Sequence, residues 1–210
     1  MRDRNAPLSA GDLDALAWDK MGGMLPAVVQ DADTAQVLML GYMNRDALAA
    51  TLADGFATFW SRSKNRLWRK GETSGDVLAV RGVWADCDED ALLVRAVPAG
   101  ATCHLGTASC FEERGPAGVG FLGKLARVVE SRAKADAENS YTAKLLADGL
   151  PAIAQKVGEE GVEVALAAVT RDTAGCVEET ADLVYHLVVL MEARGYGWND
   201  VARVLEARHR

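Results

Sequence analysis

Asp86-Cys87-Asp88-Glu89-Asp90 and, after a short apolar run, Cys103-His104-Leu105-Gly106-Thr107-Ala108-Ser109-Cys110-Phe111 crowd thiols and aspartates into one short stretch of chain. Thiolates are soft and select zinc, while carboxylates are hard and select magnesium or calcium, so the interleaving points to two different cations in one active site. Zinc held by three protein ligands keeps a fourth position open, which is the catalytic rather than the structural arrangement. Two plainer readings stand beside this one: cysteines as inert core residues, and Asp-x-Asp-x-Asp as a solvated loop. A calcium loop is excluded, because Ala91 stands where its glycine is needed and no Glu occupies the twelfth position. The segment from Cys103 to Cys110, with His104, Gly106, Thr107 and Ser109, is a poor core but a good loop.

A second group lies far along the chain. At 100° per residue, Lys156, Glu159, Glu160 and Glu163 fall within about a 100° arc of one helix, among Ala, Val, Ile, Leu and Gly. Glu179 and Asp182 share a face of the next helix, with His186 one turn further on. These are either solvated faces of two buried helices or four carboxylates that meet between antiparallel helices. Without a cation such a meeting would be repulsive; with one or two magnesium ions it makes a hard-oxygen site able to hold a diphosphate or triphosphate. A third group, Arg62, Lys64, Arg66, Arg69 and Lys70, has no acid among it and reads as a local anion site.

The elements that carry these groups change character near residue 115. Before it, Ala27 to Gln30, Val37 to Met43, Ala57 to Trp60, Val77 to Trp84 and Ala91 to Val97 are short apolar runs bounded by Gly, Asp or Asn, which predicts strands. One helix interrupts them, from Arg45 to Asp54, with Asn44 as N-cap and Gly55 just past its end. Gly115-Pro116-Ala117-Gly118-Val119-Gly120 is a linker by composition, and beyond it helices are expected over 121–136, 140–148, 151–169, 175–194 and 198–209. The expected architecture is therefore two domains: a mainly β (α+β) metal-binding domain over 1–114 and an all-α bundle over 121–210.

Composition limits the partners. A chain of 210 residues that is 50% hydrophobic can bury a core in each domain. The net charge of −7 argues against nucleic acid. The longest apolar run, Leu187 to Met191, is too short to cross a bilayer, and no basic start precedes an apolar stretch, so a cytoplasmic protein with reduced cysteines is expected. Cys176, in an apolar helix, reads as a core residue and His209 as a solvated tail.

Both halves resemble known families. Leu40-Gly41-Tyr42-Met43-Asn44, Phe59-Trp60-Ser61-Arg62-Ser63, Leu67 through Gly75, Asp86 through Asp90, and Cys103 through Phe111 match phosphoribosyl-AMP cyclohydrolase in order, over about 20–113. Lys156-Val157-Gly158-Glu159-Glu160-Gly161-Val162-Glu163 and Glu179 through His186 are similar to phosphoribosyl-ATP pyrophosphatase, an all-α, MazG-like family, over about 121–209. Together they resemble the fused bifunctional enzyme of histidine biosynthesis. The resemblance implies that Cys87, Cys103 and Cys110 bind zinc and that Asp86, Asp88 and Asp90 bind magnesium. It also implies that the zinc is shared across a homodimer, with Cys87 supplied by the other subunit. Leu105 and Ala91 stand where the family commonly has Thr, which touches fine substrate contacts rather than ligands.

The implied chemistry acts on nucleotides and has two steps. Hydrolysis of phosphoribosyl-ATP in the helical domain, with magnesium on Glu160, Glu163, Glu179 and Asp182, releases pyrophosphate. Zinc-dependent attack at C6 then opens the adenine ring of the product between N1 and C6, since zinc lowers the pKa of its water from about 15.7 to about 7. His104 either moves the proton or merely orients its loop. Arg62, Lys70, Glu72, Thr73 and Ser74 are assigned to phosphate and ribose by chemical type. Two other classes are weaker. A zinc nucleobase deaminase needs His-x-Glu and Pro-Cys-x-x-Cys, and neither is present. A structural zinc module needs a fourth ligand to close its site, and Cys176 is remote from the other three.

Overall fold

A computed structural model describes residues 3–111, 115–134 and 140–209. The chain divides into two compact units, Met1–Phe121 and Leu122–Arg210.

In the first unit, strands β1 (Leu25–Asp31), β2 (Val37–Met43), β5 (Leu78–Ala85) and β6 (Leu92–Pro98) form one sheet in the order β2-β1-β6-β5. Strand β1 runs parallel to β6, and the other neighbours are antiparallel. Alternation explains β1: Leu25, Ala27, Val29 and Asp31 are buried and the residues between them are not. The register of β5 shifts between Val80 and Gly82, an irregularity that bends the strand. A separate ribbon pairs β3 (Thr58–Ser61) with β4 (Arg66–Arg69). Two short 3-10 turns, Ala10–Ala15 and Asp19–Met21, precede the sheet.

Helix α1 (Arg45–Asp54) has the ends its sequence demands. The Asn44 side chain accepts from the Ala47 N–H at 2.9 Å, and Gly55 closes the helix in the left-handed region at φ 72°. Buried Thr51 then ties helix to ribbon, donating to the Ala47 carbonyl at 2.8 Å and accepting from the Thr58 N–H at 3.0 Å. The core gathers Leu25, Leu38, Met43, Leu48, Phe59, Leu78, Leu92 and Val94. Gly41 has a packing reason, because a Cβ there would lie 2.4 Å from the buried Phe59 ring.

The second unit is wholly helical among its described residues: α2 (Gly120–Ala133, which begins just before the unit boundary), α3 (Tyr141–Asp148), α4 (Leu150–Thr170), α5 (Thr173–Arg194) and α6 (Trp198–Arg208). Its core contains Val129, Leu145, Ile153, Val188, Val189 and Met191. Helices α4 and α5 form a hairpin joined only by Arg171 and Asp172, and the Asp172 side chain caps α5 by accepting from the Gly175 N–H at 2.9 Å.

The expectation of two domains, one α+β and one all-α, agrees with this architecture. Three details differ. Strand β4 is not among the expected strands, since Arg66-Leu67-Trp68-Arg69 is charged at both ends and mostly exposed, which hides its pairing with β3 inside a basic cluster. Cys176 is half-buried rather than a core residue, because it lies in the first turn of α5, outside the packed middle of the bundle. Helix α2 ends at Ala133, short of the expected 136, and residues 135–136, like the end of the N-terminal domain at 112–114, lie outside the described residues.

Candidate active site

Two loops of the first unit line one cavity, and one of them is held by edge-strand chemistry. Strand β2 is an edge of its sheet, so part of its backbone has no strand partner. Its Val37 carbonyl accepts from the Ser109 hydroxyl at 2.8 Å and its Leu38 carbonyl from the Cys110 N–H at 2.7 Å. Within the loop, the Cys103 N–H donates to the Thr107 carbonyl at 3.0 Å. Opposite it, Gly71 lets the chain turn sharply. It has φ 81°, and a Cβ would lie 2.4 Å from the Asp76 backbone. Buried Lys70 donates to the Asp76 carbonyl at 3.1 Å.

Between the loops lies a cavity of about 470 Å³ lined by Cys103, His104, Cys110, Lys70, Glu72, Thr73 and Ser74. Trp68, Asp76 and Thr102 also line it, and neither their types nor their spacing marks them in the sequence. The His104 Nδ1 lies 3.9 Å from the Cys103 sulfur. The Leu105 N–H directed at the Cys103 sulfur, with the Thr107 hydroxyl nearby, holds its pKa below the usual thiol value. Burial, with the negative charge of Cys103, pushes the Cys110 thiol up. The two shifts run in opposite directions, and both thiols line the cavity, where they could serve one soft ion. Cys87 is exposed and does not line this cavity.

Asp86, Asp88 and Asp90 place one carboxylate oxygen each within 4.8 Å of one another. They sit on the hairpin loop joining β5 to β6, where Glu89 takes a left-handed φ of 62°. Asp86 also builds that loop, its Oδ1 accepting from the N–H groups of Asp90 at 3.0 Å and Ala91 at 3.1 Å. Lys20, on the second 3-10 turn, forms ion pairs with both Asp88 and Asp90. Those two carboxylates hold the Lys20 ammonium well above its ordinary pKa, and Lys20 in turn draws Asp88 below the usual carboxylate value. Lys20 lies 68 residues from Asp88. No local pattern signals it.

The basic cluster does not act as one patch. Arg62 stacks over the Tyr42 ring at 4.2 Å and Arg69 lies 5.4 Å from the Phe56 ring centre. Arg66 pairs with Glu72, which holds the Glu72 carboxyl below its usual pKa. Lys70 is the member that lines the cavity; Arg62 does not.

In the second unit, Glu160 on α4 and Glu179 and Asp182 on α5 gather within 4.8 Å. Glu163, though exposed, faces the same group, and the charge of Glu160 above all, with that of Glu179, pushes its carboxyl above the usual pKa. Arg171, from the α4–α5 turn, pairs with Glu179. Glu159 is turned aside, held by Lys156 at 2.7 Å and Gln155 at 2.8 Å. Glu160 is 8% exposed, and the His186 Nδ1 lies 3.6 Å from its Oε1. The solvated-face reading fails for Glu160, which a solvated residue's exposure would not fit.

Residues 39–112 match the family model for phosphoribosyl-AMP cyclohydrolase, and residues 122–209 match that for phosphoribosyl-ATP pyrophosphohydrolase. A protein of Xanthomonas campestris pv. campestris named histidine biosynthesis bifunctional protein HisIE is 55% identical over 203 residues, covering 96% of this chain and 97% of its own length. The chain belongs to the bifunctional HisIE family. HisIE proteins of Photobacterium profundum, 54% identical over 91% of this chain and 95% of their own, and of Vibrio vulnificus, 49% identical over 97% and 99%, are similar throughout. As a HisIE protein the chain is a bifunctional hydrolase of histidine biosynthesis, with its cyclohydrolase and pyrophosphohydrolase regions in that order. No helix among the described residues is long and apolar enough to cross a membrane.

Proposed function

We propose that the cavity between the 70–76 turn and the 101–110 loop is where the adenine ring of phosphoribosyl-AMP is opened, and that zinc and magnesium serve it. The carrying observation is that Cys103, Cys110 and His104 line one cavity with Lys70, Glu72, Thr73 and Ser74, while exposed Cys87 lies outside it. That division supports a zinc site made by Cys103 and Cys110 of one chain and Cys87 of a second. The donor set fits: two sulfurs inside the cavity leave room for a third ligand and for substrate. When bound, zinc supplies a Lewis acid that makes hydroxide available near neutral pH. His104, at the mouth of the cavity, moves the proton as the N1–C6 bond opens. Lys70 meets a substrate phosphate. Glu72, kept ionised by Arg66, accepts from ribose hydroxyls, and Thr73 and Ser74 complete the turn that cradles them. Asp86, Asp88 and Asp90 fit magnesium by their oxygen donors. Arg62, stacked on Tyr42, reaches substrate only by leaving that ring.

In the helical unit, Glu160, Glu163, Glu179 and Asp182 fit magnesium, which when bound neutralises phosphate charge and favours ionised water. The chain's own part is to present carboxylate oxygens between two helices, with Arg171 paired to Glu179. Phosphoribosyl-ATP loses pyrophosphate there, and its product is the substrate of the other region. A homodimer is supported by the shared-zinc reading and by the exposed apolar residues Val162, Leu166 and Val169 on α4 and Val177 on α5. Free cysteines fit the cytoplasm and the net charge fits nucleotide rather than nucleic-acid partners. The test is to strip the purified chain of metal, supply phosphoribosyl-ATP, and follow pyrophosphate release and ring opening. Magnesium alone should restore release, and zinc with magnesium should restore opening; opening that survives removal of zinc would overturn the assignment.

A further inference from the structure

His186 has a place in the helical unit that the carboxylate cluster alone does not explain. It is 6% exposed, lies on α5, and meets α3 and α4 at one point. Its Nδ1 is 2.9 Å from the Asp182 carbonyl oxygen and 3.6 Å from Glu160 Oε1. Both of those groups accept, so Nδ1 carries a hydrogen. That hydrogen goes to the carbonyl, and the Glu160 carboxylate lies just beyond hydrogen-bond range, within reach of its positive end. On the far side, Nε2 is 3.1 Å from the hydroxyl of Tyr141, the first residue of α3. In the neutral ring Nε2 accepts from that hydroxyl, and in the charged ring it donates to it; in both, the ring keeps one orientation. The Tyr185 ring packs edge-on at 5.1 Å and is itself pinned by Thr142 at 2.7 Å.

Glu160 needs such a partner. Glu163, Glu179 and Asp182 all repel it, Arg171 is engaged by Glu179, and Lys156 makes its ion pair with Glu159 and attracts Glu160 only through its charge. A buried carboxylate facing other acids would otherwise rotate away from them. We propose that His186 is a positioning residue of the pyrophosphate-releasing site, holding the Glu160 carboxylate in place beside Glu179 and Asp182 for a divalent cation, with Tyr141 fixing the orientation of the ring. The proposal rests on the reading of that cluster as a magnesium site. It also makes α3 part of the site, although α3 supplies no carboxylate to it.

Manganese binding to the metal-free full-length chain, followed by loss of the free-ion electron-paramagnetic signal, reads this directly. Partners that orient a metal ligand are worth about 10- to 100-fold in affinity, so His186→Leu should weaken binding at the helical site about tenfold or more. His186→Asn, whose amide N–H stands where Nδ1–H stood, should regain most of the loss, and Tyr141→Phe should show a smaller loss. The magnesium concentration for half-maximal pyrophosphate release should shift in the same order, with the rate at saturating magnesium much less affected. A residue that only fills space would give equal losses for Leu and Asn and no shift in metal demand, and that result overturns the proposal, as does wild-type affinity in His186→Leu. Should His186→Leu fail to fold, Tyr141→Phe removes one oxygen and decides the matter, because unchanged affinity there defeats it. Asp182→Asn is the separate control. If that variant keeps the same number of manganese sites, the magnesium reading itself is wrong, whatever His186 does.

Discussion

The β5–β6 loop and the α4–α5 hairpin both concentrate carboxylates, and they manage the resulting repulsion by opposite means. In the loop, Asp86 turns one oxygen onto backbone N–H groups and Lys20 comes from far along the chain to pair with Asp88 and Asp90. In the hairpin, rigid helix spacing brings Glu160, Glu179 and Asp182 together, and Arg171 and His186 sit at the edge of the group. A loop can bend to relieve charge, whereas a helix cannot move one side chain's origin without moving its neighbours. The first region is therefore balanced by a distant lysine, whereas in the second the charge of Glu160 still raises the pKa of Glu163.

The largest effect should separate the regions completely. On the proposed zinc site, Cys110→Ser removes a soft ligand, so ring opening should fall about a thousandfold or more with loss of zinc by elemental analysis, while pyrophosphate release stays intact. A variant that keeps zinc and ring opening would break the comparison. Asp182→Asn should do the converse, lowering pyrophosphate release about 100-fold or more while ring opening of separately supplied phosphoribosyl-AMP is unchanged.

Gly71→Ala tests the turn rather than a ligand. Forcing a side chain into a left-handed φ against the Asp76 backbone should cost about 1–3 kcal/mol. Thermal unfolding of the N-terminal region should shift down and ring opening should fall about tenfold by misplacing Lys70 to Ser74, with pyrophosphate release again spared.

The smallest effects concern charge alone. The folded pKa of Glu163 is raised, so the folded state holds its proton longer than the unfolded chain, and stability without metal falls as pH rises through the range above the ordinary Glu value. Glu163→Gln should therefore melt higher than wild type at pH 7 in the absence of metal, and the gap should close near pH 4. Lys20→Met should have the opposite sign: Asp88, held below its usual pKa by Lys20, loses its partner. The metal-free melting temperature should drop at pH 7, and excess magnesium should restore it; no drop would show that the exposed pair contributes nothing.

The helical unit was the more legible because its information is local. Ser140 and Gly195 mark helix ends by their own backbone chemistry, and the three-residue spacing of Glu160 with Glu163 and of Glu179 with Asp182 fixes which side chains share a face. The N-terminal thiols were visible as residue types, and so was their looped setting. What could not be read was the direction of each basic side chain: a run that looks like one anion site separates into Arg62 on Tyr42, Arg69 on Phe56, Arg66 on Glu72 and Lys70 in the cavity. Strand alternation and aromatic neighbours decide that, and the aromatic neighbours lie elsewhere in the chain.

From the residues alone came the two-part organisation, the existence and order of the C-terminal helices and the families both halves resemble, because these depend on side-chain type and on spacings of a few residues. Tertiary structure alone decided that the edge of β2 anchors Ser109 and Cys110, that Lys20 answers Asp88 and Asp90, that Cys87 stays outside the cavity, and that Tyr141 reaches His186. Each of these joins groups far apart in sequence. Such pairings are set by how whole elements pack, and no local pattern of residues encodes which distant neighbour a free backbone carbonyl or a buried charge will find.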